Sequence, residues 1–216
     1  MQTLDLAGNQ LQLLPDKAIY IENLEMLLVS DVHLGKSETF QHFGIPISNQ
    51  VNQTTLDRLT RLCQTYQPKQ LIILGDLFHS KVALVEEVLG PWQRFIAAIS
   101  TQVLLIVGNH DRRLLPALED LAISYTTEPI QVNSLVFSHE PLTQRAGWTI
   151  CGHVHPCVRL TSKLDNLRLP CFYLQKGSNL LILPSFGEFT GGFEVSPQAG
   201  TTAYVVVENS VIALSA

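Results

Sequence analysis

The stretch of sequence that decides the fold runs from Gln102 to Asp111 and reads QVLLIVGNHD. Residues Gln102–Val107 form a mostly apolar run that is long enough for a buried strand and too short for a buried helix. The run ends in Gly108-Asn109-His110-Asp111, where amide, imidazole and carboxylate side chains follow one another. Loops at the carboxyl ends of strands form the binding crevice of open α/β sheets. The stretch therefore predicts a buried strand that delivers reactive side chains to a site.

Two earlier segments repeat this arrangement. Met26–Ser30 is a buried-strand run that is followed by Asp31-Val32-His33. Lys69–Leu74 is another such run, and it is followed by Gly75-Asp76, with His79 three residues beyond Asp76. We expect three buried strands whose polar ends converge on one crevice.

Longer segments with helical periodicity lie between and after these strands. Ser48–Tyr66 has apolar residues on one face of a helix, and Ser48 is a candidate N-cap. Val82–Ser100 also has helical spacing, but we expect Gly90-Pro91 to break it into two helices. A short helix is predicted over Arg112–Leu118.

From about residue 130 the pattern changes to short strands separated by Gly and Pro. A hairpin over Leu11–Tyr20 is predicted at one edge of the fold. The sequence thus predicts an α/β fold, a two-layer β-sandwich flanked by helices, in one domain spanning residues 1–216. The later strands are predicted over Ser134–Ser138, Trp148–Cys151, Cys157–Leu160, Phe172–Leu174, Asn179–Leu183, Thr202–Val207 and Val211–Leu214.

Two of the later strands also end in polar residues. They deliver Ser138-His139-Glu140 and Gly152-His153-Val154-His155. In His153/His155, as in Asp31/His33, the two residues are two positions apart and project to one face of an extended chain. Each pair can offer two ligands to one metal ion or one ligand to each of two adjacent ions.

The candidate ligands at the five strand ends share one chemistry. They are carboxylates, an amide and imidazoles without a thiolate, which suits Mn, Fe, Zn, Ni or Co and argues against a Cys-rich structural zinc site. A glycine directly before the polar residues lets the backbone pass close to a metal or ligand, and Gly75, Gly108 and Gly152 occupy that position. A single Asp-x-His or Gly-Asn-His-Asp is more often an ordinary loop. The ordered series of five such segments is what indicates a metal centre.

The charge of the chain limits how it can meet a nucleic acid. Its 216 residues contain 14 Lys and Arg against 19 Asp and Glu, a formal net charge of -5. An acidic chain does not bind DNA through its bulk charge, so any nucleic-acid contact must be local. Residues 141–180 carry five bases and one acid, which is either a solvated face or a surface that steers anions.

The cysteines and the N-terminus bear on the cellular compartment. The four cysteines form no C-x-x-C pair and are interpreted as buried apolar residues of a reducing compartment. The N-terminus lacks a basic segment followed by a long apolar run, and the densest apolar runs are only a few residues long. We therefore expect no signal peptide, no membrane span and a cytoplasmic location.

The ordered motifs resemble the complete signature of the calcineurin-like metallophosphoesterase superfamily. The resemblance spans residues 31–155 and implies a β-sandwich flanked by helices, with two divalent metal ions at the strand ends. It implies a first metal position held by three residues, Asp31, His33 and His155. It implies a second position held by Asn109, His139 and His153, with Asp76 bridging the two.

The resemblance also implies a reaction. Two divalent cations lower the pKa of a bridging water and clamp phosphoryl oxygens, so we expect in-line attack of a metal-bridging hydroxide on phosphorus. Mn²⁺ is the expected metal. His110 is the one histidine of the motifs that is not needed as a ligand, so it is the natural general acid. The resemblance implies that Asp111 orients its ring. The alternatives are that His110 is a ligand or supports one, and that Asp111 is a surface acid or helix cap.

Four basic or titratable residues close to the metal motifs are candidate substrate contacts. His79, Arg112, Arg113 and Arg145 are placed to reach substrate phosphates or a nucleic-acid backbone. A packed loop histidine and solvent-exposed arginines explain the same residues equally well.

A narrower resemblance covers nearly the whole chain. The segments that carry it are similar to the bacterial ligase-associated DNA damage response endonuclease group, also called the PdeM type. That resemblance implies action on DNA and association with a DNA ligase and a helicase-like protein. The segments are Leu34-Gly-Lys36, Phe40, Gly44-Ile-Pro46, Gly75–Ser80 and Leu183–Gly192.

Three other functions fit parts of the sequence. The first is hydrolysis of small nucleotides by a phosphatase or phosphodiesterase, which needs a walled pocket with a stacking aromatic side chain instead of an open groove. The second is a non-catalytic interaction module, whose expected sign is the loss of ligands or of the acid histidine. The third is an oxygen-activating metalloenzyme, which seven candidate ligands on five segments disfavour.

Overall fold

The computed structural model describes residues 1–48, 50–142, 147–161, 166–188 and 190–216. Within these residues the chain forms two β-sheets, and helices pack against the first of them. The predicted α/β fold, a two-layer sandwich flanked by helices, is confirmed. Among the described residues, every helix is too short or too polar to span a lipid bilayer. All four cysteines are buried free thiols, as predicted.

The first sheet contains the three predicted buried strands as parallel neighbours. Their strand order follows the sequence, and the amino-terminal strands extend the sheet in an antiparallel manner. The predicted edge hairpin is confirmed, and an additional strand precedes it. Within the described residues the strands are β1 (Gln2–Leu6), β2 (Asn9–Leu14), β3 (Ala18–Ile21), β4 (Met26–Val29), β5 (Gln70–Ile73), β6 (Gln102–Ile106) and β7 (Ser124–Thr126).

The second sheet contains the predicted short strands of the carboxyl-terminal half. Its strands are β8 (Ile130–Val132), β9 (Leu135–Phe137), β10 (Trp148–Cys151), β11 (Pro156–Thr161), β12 (Asn166–Gln175), β13 (Leu180–Ile182), β14 (Phe193–Glu194), β15 (Thr201–Val207) and β16 (Ser210–Ser215). They run in the order β14-β11-β12-β13-β10-β9-β8, and β15 joins β12 and β16.

The helices confirm most of the predicted pattern and correct one point. Gly90-Pro91 does not split the predicted segment, because one α-helix continues through Pro91. Val88, Trp92 and Phe95 are buried in the core on this helix, and their packing outweighs the backbone hydrogen bond that proline removes. The α-helices are α1 (Lys36–His42), α2 (Gln50–Tyr66), α3 (Glu86–Ala98) and α4 (Leu115–Leu118), and the 3₁₀ helices are Glu22–Leu24, Lys81–Ala83, Asp111–Leu114 and Lys176–Ser178.

Successive side chains of the parallel strands point to opposite faces of the first sheet, which explains why apolar layers form on both faces. In β4, Leu27 and Val29 belong to the cluster that faces α2 and α3, whereas Leu28 belongs to the cluster between the two sheets. Strands with both faces covered are apolar throughout, which is why β4, β5 and β6 are continuous apolar runs.

Candidate metal centre

Backbone hydrogen bonds join the loops that follow the strands. The N–H of Asp31 donates to the carbonyl oxygen of Gly75 at 3.1 Å, and the N–H of His33 donates to that of Asp76 at 2.9 Å. In the second sheet, the N–H of Gly152 donates to the carbonyl oxygen of His139 at 3.0 Å. These bonds fix the relative positions of segments that are far apart in the sequence.

Asp31, His33 and His155 form a first cluster, in which the potential ligand atoms lie within 4.8 Å of one another. Nε2 of His155 is 3.0 Å from Oδ1 of Asp31. Both atoms are buried, as is Nδ1 of His33, and all three lack a hydrogen-bond partner among the described residues. Buried polar atoms without partners carry a large desolvation cost, which a bound cation would remove for the atoms that coordinate it.

Asn109, His139 and His153 form a second cluster. Oδ1 of Asn109 is 2.9 Å from Nε2 of His139 and 3.0 Å from Nδ1 of His153. The two imidazole nitrogens are 3.1 Å apart. An amide oxygen and two imidazole nitrogens at these separations are a donor set that suits a divalent transition-metal ion.

Asp76 lies between the two clusters. Its Oδ2 is 3.6 Å from Nε2 of His139 in the second cluster and 4.0 Å from Nε2 of His33 in the first. Asp31, Asp76 and His139 also form a group whose potential ligand atoms lie within 4.8 Å of one another. The side chain of Asp76 is buried, so its carboxylate is in position to contact both clusters at once.

Backbone carbonyl groups set the tautomers of two of the histidines. Nδ1 of His139 lies 2.9 Å from the carbonyl oxygen of Leu74, and Nδ1 of His155 lies 3.1 Å from that of Gly191. A carbonyl oxygen only accepts, so in both rings Nδ1 carries a proton, and in the neutral form of each ring Nε2 has the lone pair that can bind a cation. Such orientation by the other ring nitrogen is typical of metal-binding histidines.

Burial and neighbouring groups shift the pKa values of the site residues in different directions, and the hydrogen bond to Asp31 raises that of His155 against the effect of burial. Burial lowers the pKa of His33 to about 2, so its imidazole is neutral at ordinary pH. Burial raises the pKa of Asp76. Burial opposes ionisation of Asp31 too, but the adjacent His155 outweighs it, and the pKa of Asp31 is lowered. A cation in these positions would stabilise both carboxylates as anions.

The pairs Asp31/His33 and His153/His155 do not lie on extended chain, contrary to the expectation from the sequence. Asp31, His33, His153 and His155 all have left-handed backbones, with φ values of 54°, 51°, 66° and 52°. Both pairs lie beyond the ends of strands, where the backbone turns and no longer has the alternating geometry of a strand. Asp31 and His33 therefore reach one cluster, whereas His153 and His155 reach different clusters. Backbone strain of this kind is common at functional sites.

All three predicted glycines are positions of close approach to the site for which a side chain has no room, and a Cβ atom at Gly75 would overlap the imidazole ring of His139. A Cβ atom at Gly108 would overlap Oδ1 of Asp76, and one at Gly152 would overlap Oγ of Ser30 and lie 2.5 Å from Oδ2 of Asp31. The expected reason for glycine before the polar residues is confirmed here.

His110 lies beside the clusters. Its Nδ1 donates to the carbonyl oxygen of His79 at 2.6 Å, so its Nε2 faces inward, 4.0 Å from Oδ2 of Asp76. The ring stacks on that of His79 with centroids 5.1 Å apart. His33, His79 and His110 also form a group within ligand-atom distance of one another, so the geometry is compatible with His110 as an acid or as a ligand.

The expected role of Asp111 needs correction. Its carboxylate accepts backbone hydrogen bonds from Asp76, Leu77, Phe78 and Gly108 at 2.7–3.3 Å. The ring of His110 is oriented instead by the carbonyl oxygen of His79. Asp111 is fully buried, and burial raises its pKa to about 6 against the opposing effect of these N–H donors. It organises the loop that carries Asp76.

The candidate substrate contacts have different surroundings, and Arg113 is exposed. His79 is half-buried against His110, as described above. Arg112 is exposed, and its Nη2 lies 3.7 Å from Oε1 of Glu140. Arg145 lies outside the described residues.

Two serine hydroxyl groups outside the predicted ligand set support Asp31. Oγ of Ser30 donates to Oδ2 of Asp31 at 2.5 Å, and Oγ of Ser185 donates to its carbonyl oxygen at 2.8 Å. Ser30 directly precedes a candidate ligand, and Ser185 lies in the Leu183–Gly192 segment. Their positions beside the motifs could have indicated such a role, but serine is not one of the ligand types that define the motifs.

Comparison with known proteins relates the chain to a family and to similar proteins. The family model described as calcineurin-like phosphoesterase matches residues 24–190. The crystal structure of the Pseudomonas putida nuclease MPE is similar over 99% of this chain and 99% of that chain, with 35% sequence identity and a TM-score of 0.83. A Bos taurus transmembrane protein with a metallophosphoesterase domain is 25% identical over 91 residues, which is 42% of this chain. The match spans only 17% of the length of that curated relative.

Proposed function

We propose that the chain cleaves phosphodiester bonds in DNA. The premise is that the chain belongs to the calcineurin-like phosphoesterase family and is a metal-dependent phosphoester hydrolase. The observation that carries the choice of reaction is the likeness over 99% of both chains to a protein described as a nuclease. The general reaction, phosphoester hydrolysis, follows from membership of the family.

In this proposal the two clusters hold two divalent metal ions. When bound, such ions lower the pKa of a coordinated water and neutralise charge on the phosphoryl oxygens. Mn²⁺ suits the nitrogen and oxygen ligands and is the metal to test first. The first ion would be held by Asp31, His33 and His155, the second by Asn109, His139 and His153, and Asp76 would contact both.

His110 would protonate the departing oxygen. Its Nδ1 proton is engaged by the carbonyl oxygen of His79, which directs Nε2 towards the site. Its side chain is 37% exposed, so a substrate can approach it. A positioned imidazole that donates a proton to an alkoxide contributes about 10²–10⁴-fold to the rate.

Two basic cavities flank the clusters, which supports a polymeric substrate. One, of about 460 Å³, borders Asn109 and His110 and includes Lys81 and Arg113. The other, of about 270 Å³, borders His155 and includes the cations Arg168 and Lys17 together with Glu188, which pairs with Lys17. A strand that crosses the site would place a backbone phosphate in each cavity. The described residues that line either cavity include no Phe, Tyr or Trp, so neither offers the aromatic platform expected of a small-nucleotide pocket.

A substrate panel tests the proposal. Single-stranded DNA, duplex DNA, bis-p-nitrophenyl phosphate and mononucleotides are incubated with the purified chain and Mn²⁺, with Asp76→Ala as the metal-deficient comparison. We expect cleavage of DNA and of bis-p-nitrophenyl phosphate by the wild type and none by Asp76→Ala. Activity restricted to mononucleotides would overturn the nuclease assignment in favour of a small-nucleotide phosphatase.

We also propose association with a DNA ligase and a helicase-like protein, on the resemblance to the ligase-associated group. Co-elution of the purified chain with a purified ligase or helicase of its host tests this. Separate elution of all components at micromolar concentration would contradict it.

A further inference from the structure

A single segment supports two ligands of the first cluster. The strap, which we define as the segment from Ser185 to Phe193, holds the backbone of Asp31 at one end; residue 189 lies outside the described residues. The hydroxyl of Ser185 and the backbone N–H of Gly187 both donate to the carbonyl oxygen of Asp31, at 2.8 and 3.0 Å. These two bonds fix a residue whose φ is left-handed.

The other end of the strap holds His155. The carbonyl oxygen of Gly191 accepts from Nδ1 of His155 at 3.1 Å, and the N–H of Phe193 donates to the carbonyl oxygen of His155 at 2.9 Å. Among the described residues, no hydrogen bond joins the strap to a ligand of the second cluster. The strap therefore acts on one cluster and not on the other.

The strap approaches the site closely and is anchored beside it. A Cβ atom at Gly187 would overlap the carbonyl oxygen of Val32, so only glycine permits this approach. The ring of Phe186 is fully buried, and the guanidinium carbon of Arg58 lies 4.2 Å from its centroid. Arg58 also donates to the carbonyl oxygen of Phe186.

Glu188 fastens the strap to the body of the protein. Its Oε1 lies 2.7 Å from Nη1 of Arg58 on α2 and 3.3 Å from Nζ of Lys17 in the turn between β2 and β3. The side chains of Arg58 and Lys17 are only 15% and 13% exposed, so removal of the carboxylate would leave two poorly hydrated cations facing each other. Their repulsion would displace the strap.

We propose that the strap, fastened by Glu188, is a positioning element that sets the affinity of the first metal position and leaves that of the second unchanged. The inference rests on the metal centre of the proposed function. Its physical basis is that small shifts in groups that orient the ligands lower metal affinity, typically about 10- to 100-fold.

The test compares Glu188→Gln with a matched control, Glu25→Gln. Glu25 forms an ion pair with Lys69, and its side chain is 47% exposed against 42% for Glu188, but that pair joins the turn before β4 to the segment before β5 and lies outside the strap. Mn²⁺ binding to the purified full chain is measured by calorimetry, and the bound ions are observed by electron paramagnetic resonance.

For Glu188→Gln we expect one of two Mn²⁺ sites to weaken about 10-fold or more while the other is unchanged. At a free Mn²⁺ concentration that fills both wild-type sites, the spin-coupled signal of an ion pair should give way to the six-line signal of isolated Mn²⁺. Glu25→Gln should keep both sites and the coupled signal. Ser185→Ala, which removes one hydrogen bond to Asp31 and leaves the ion pairs intact, should weaken the same site to a smaller extent.

The outcomes separate this inference from the proposed function. Wild-type binding of two ions with unchanged affinities in Glu188→Gln and Ser185→Ala would overturn the positioning role alone. Equal weakening of both sites in either variant would also overturn it, because that result indicates general loss of structure. A wild-type chain that binds no pair of ions would overturn the proposed function and this inference together.

Discussion

Oδ2 of Asp111 accepts a hydrogen bond of 2.7 Å from the backbone N–H of Asp76. The same carboxylate accepts from Leu77, Phe78 and Gly108, so one buried anion holds the turn from which Asp76 projects between the two clusters. Several backbone donors that converge on a carboxylate form a rigid anchor, because each donor would otherwise be buried without a partner.

Asp111→Asn is expected to destabilise the fold and to displace Asp76. The substitution keeps the volume but replaces one acceptor oxygen with an NH₂ group that faces backbone donors. We expect the free energy of unfolding to fall by about 1–3 kcal/mol and Mn²⁺ binding to weaken. Urea denaturation and metal analysis measure the two effects. Asp120→Asn, at an exposed position, should change neither.

His110→Ala is expected to separate metal binding from proton donation. The variant should retain both metal ions while its turnover of DNA falls by about 10²–10⁴-fold. Hydrolysis of bis-p-nitrophenyl phosphate should fall much less, because p-nitrophenolate leaves without a proton. Metal content and the two rates are measured on the same preparation. Loss of metal in His110→Ala would instead identify this histidine as a ligand.

Charge reversal in the cavity beside His110 should weaken DNA binding selectively. Lys81→Glu and Arg113→Glu are expected to raise the KM for single-stranded DNA. For each lost phosphate contact, the slope of log binding constant against log salt concentration should become shallower by about 0.7. The rate with bis-p-nitrophenyl phosphate should stay the same. Lys176→Glu makes the same change of net charge at an exposed residue that lines neither basic cavity, and it should leave the KM unaltered. Equal effects of all three variants would show that only net charge matters.

Gly152→Ala should abolish metal binding, because the added methyl group would overlap Oγ of Ser30 and crowd the carboxylate of Asp31. Metal analysis after gel filtration measures this. Gly177→Ala is the matched control, since no atom lies within 4 Å of the added Cβ there. Wild-type metal content in Gly152→Ala would mean that the loop after β10 can move away without disturbing the site.

The stabilising effect of Glu188 should depend on pH with a defined sign. Burial alone would raise the pKa of Glu188, but Lys17 and Arg58 outweigh it and lower the pKa below its ordinary value of 4.5. A carboxyl group whose pKa is lower in the folded state stabilises that state above the unfolded pKa and loses this effect as the pH falls. The wild type should therefore exceed Glu188→Gln in unfolding free energy above pH 4.5, and the difference should disappear as the pH falls through the lowered pKa. A difference that persists at lower pH would contradict the charge-based explanation.

The sequence by itself determined the secondary structure that brings the ligands together. Apolar runs such as Met26–Ser30 and Gln102–Val107 predicted the parallel strands, because burial on both faces leaves a local pattern that needs no knowledge of the partner. The types of the candidate ligands and their positions after strands were also local features. The break predicted at Gly90-Pro91 was wrong, because tertiary packing of α3 outweighed the local preference.

Only the tertiary structure decided how these side chains are arranged. The distribution of His153 and His155 between two clusters depends on left-handed turns, and the tautomer of His139 depends on the carbonyl oxygen of Leu74, 65 residues away. The contacts of Asp111 and of Glu188 likewise join distant segments. Hydrogen bonds and ion pairs between distant segments leave no periodic trace in the sequence, since they depend on which loops the packed sheets bring together.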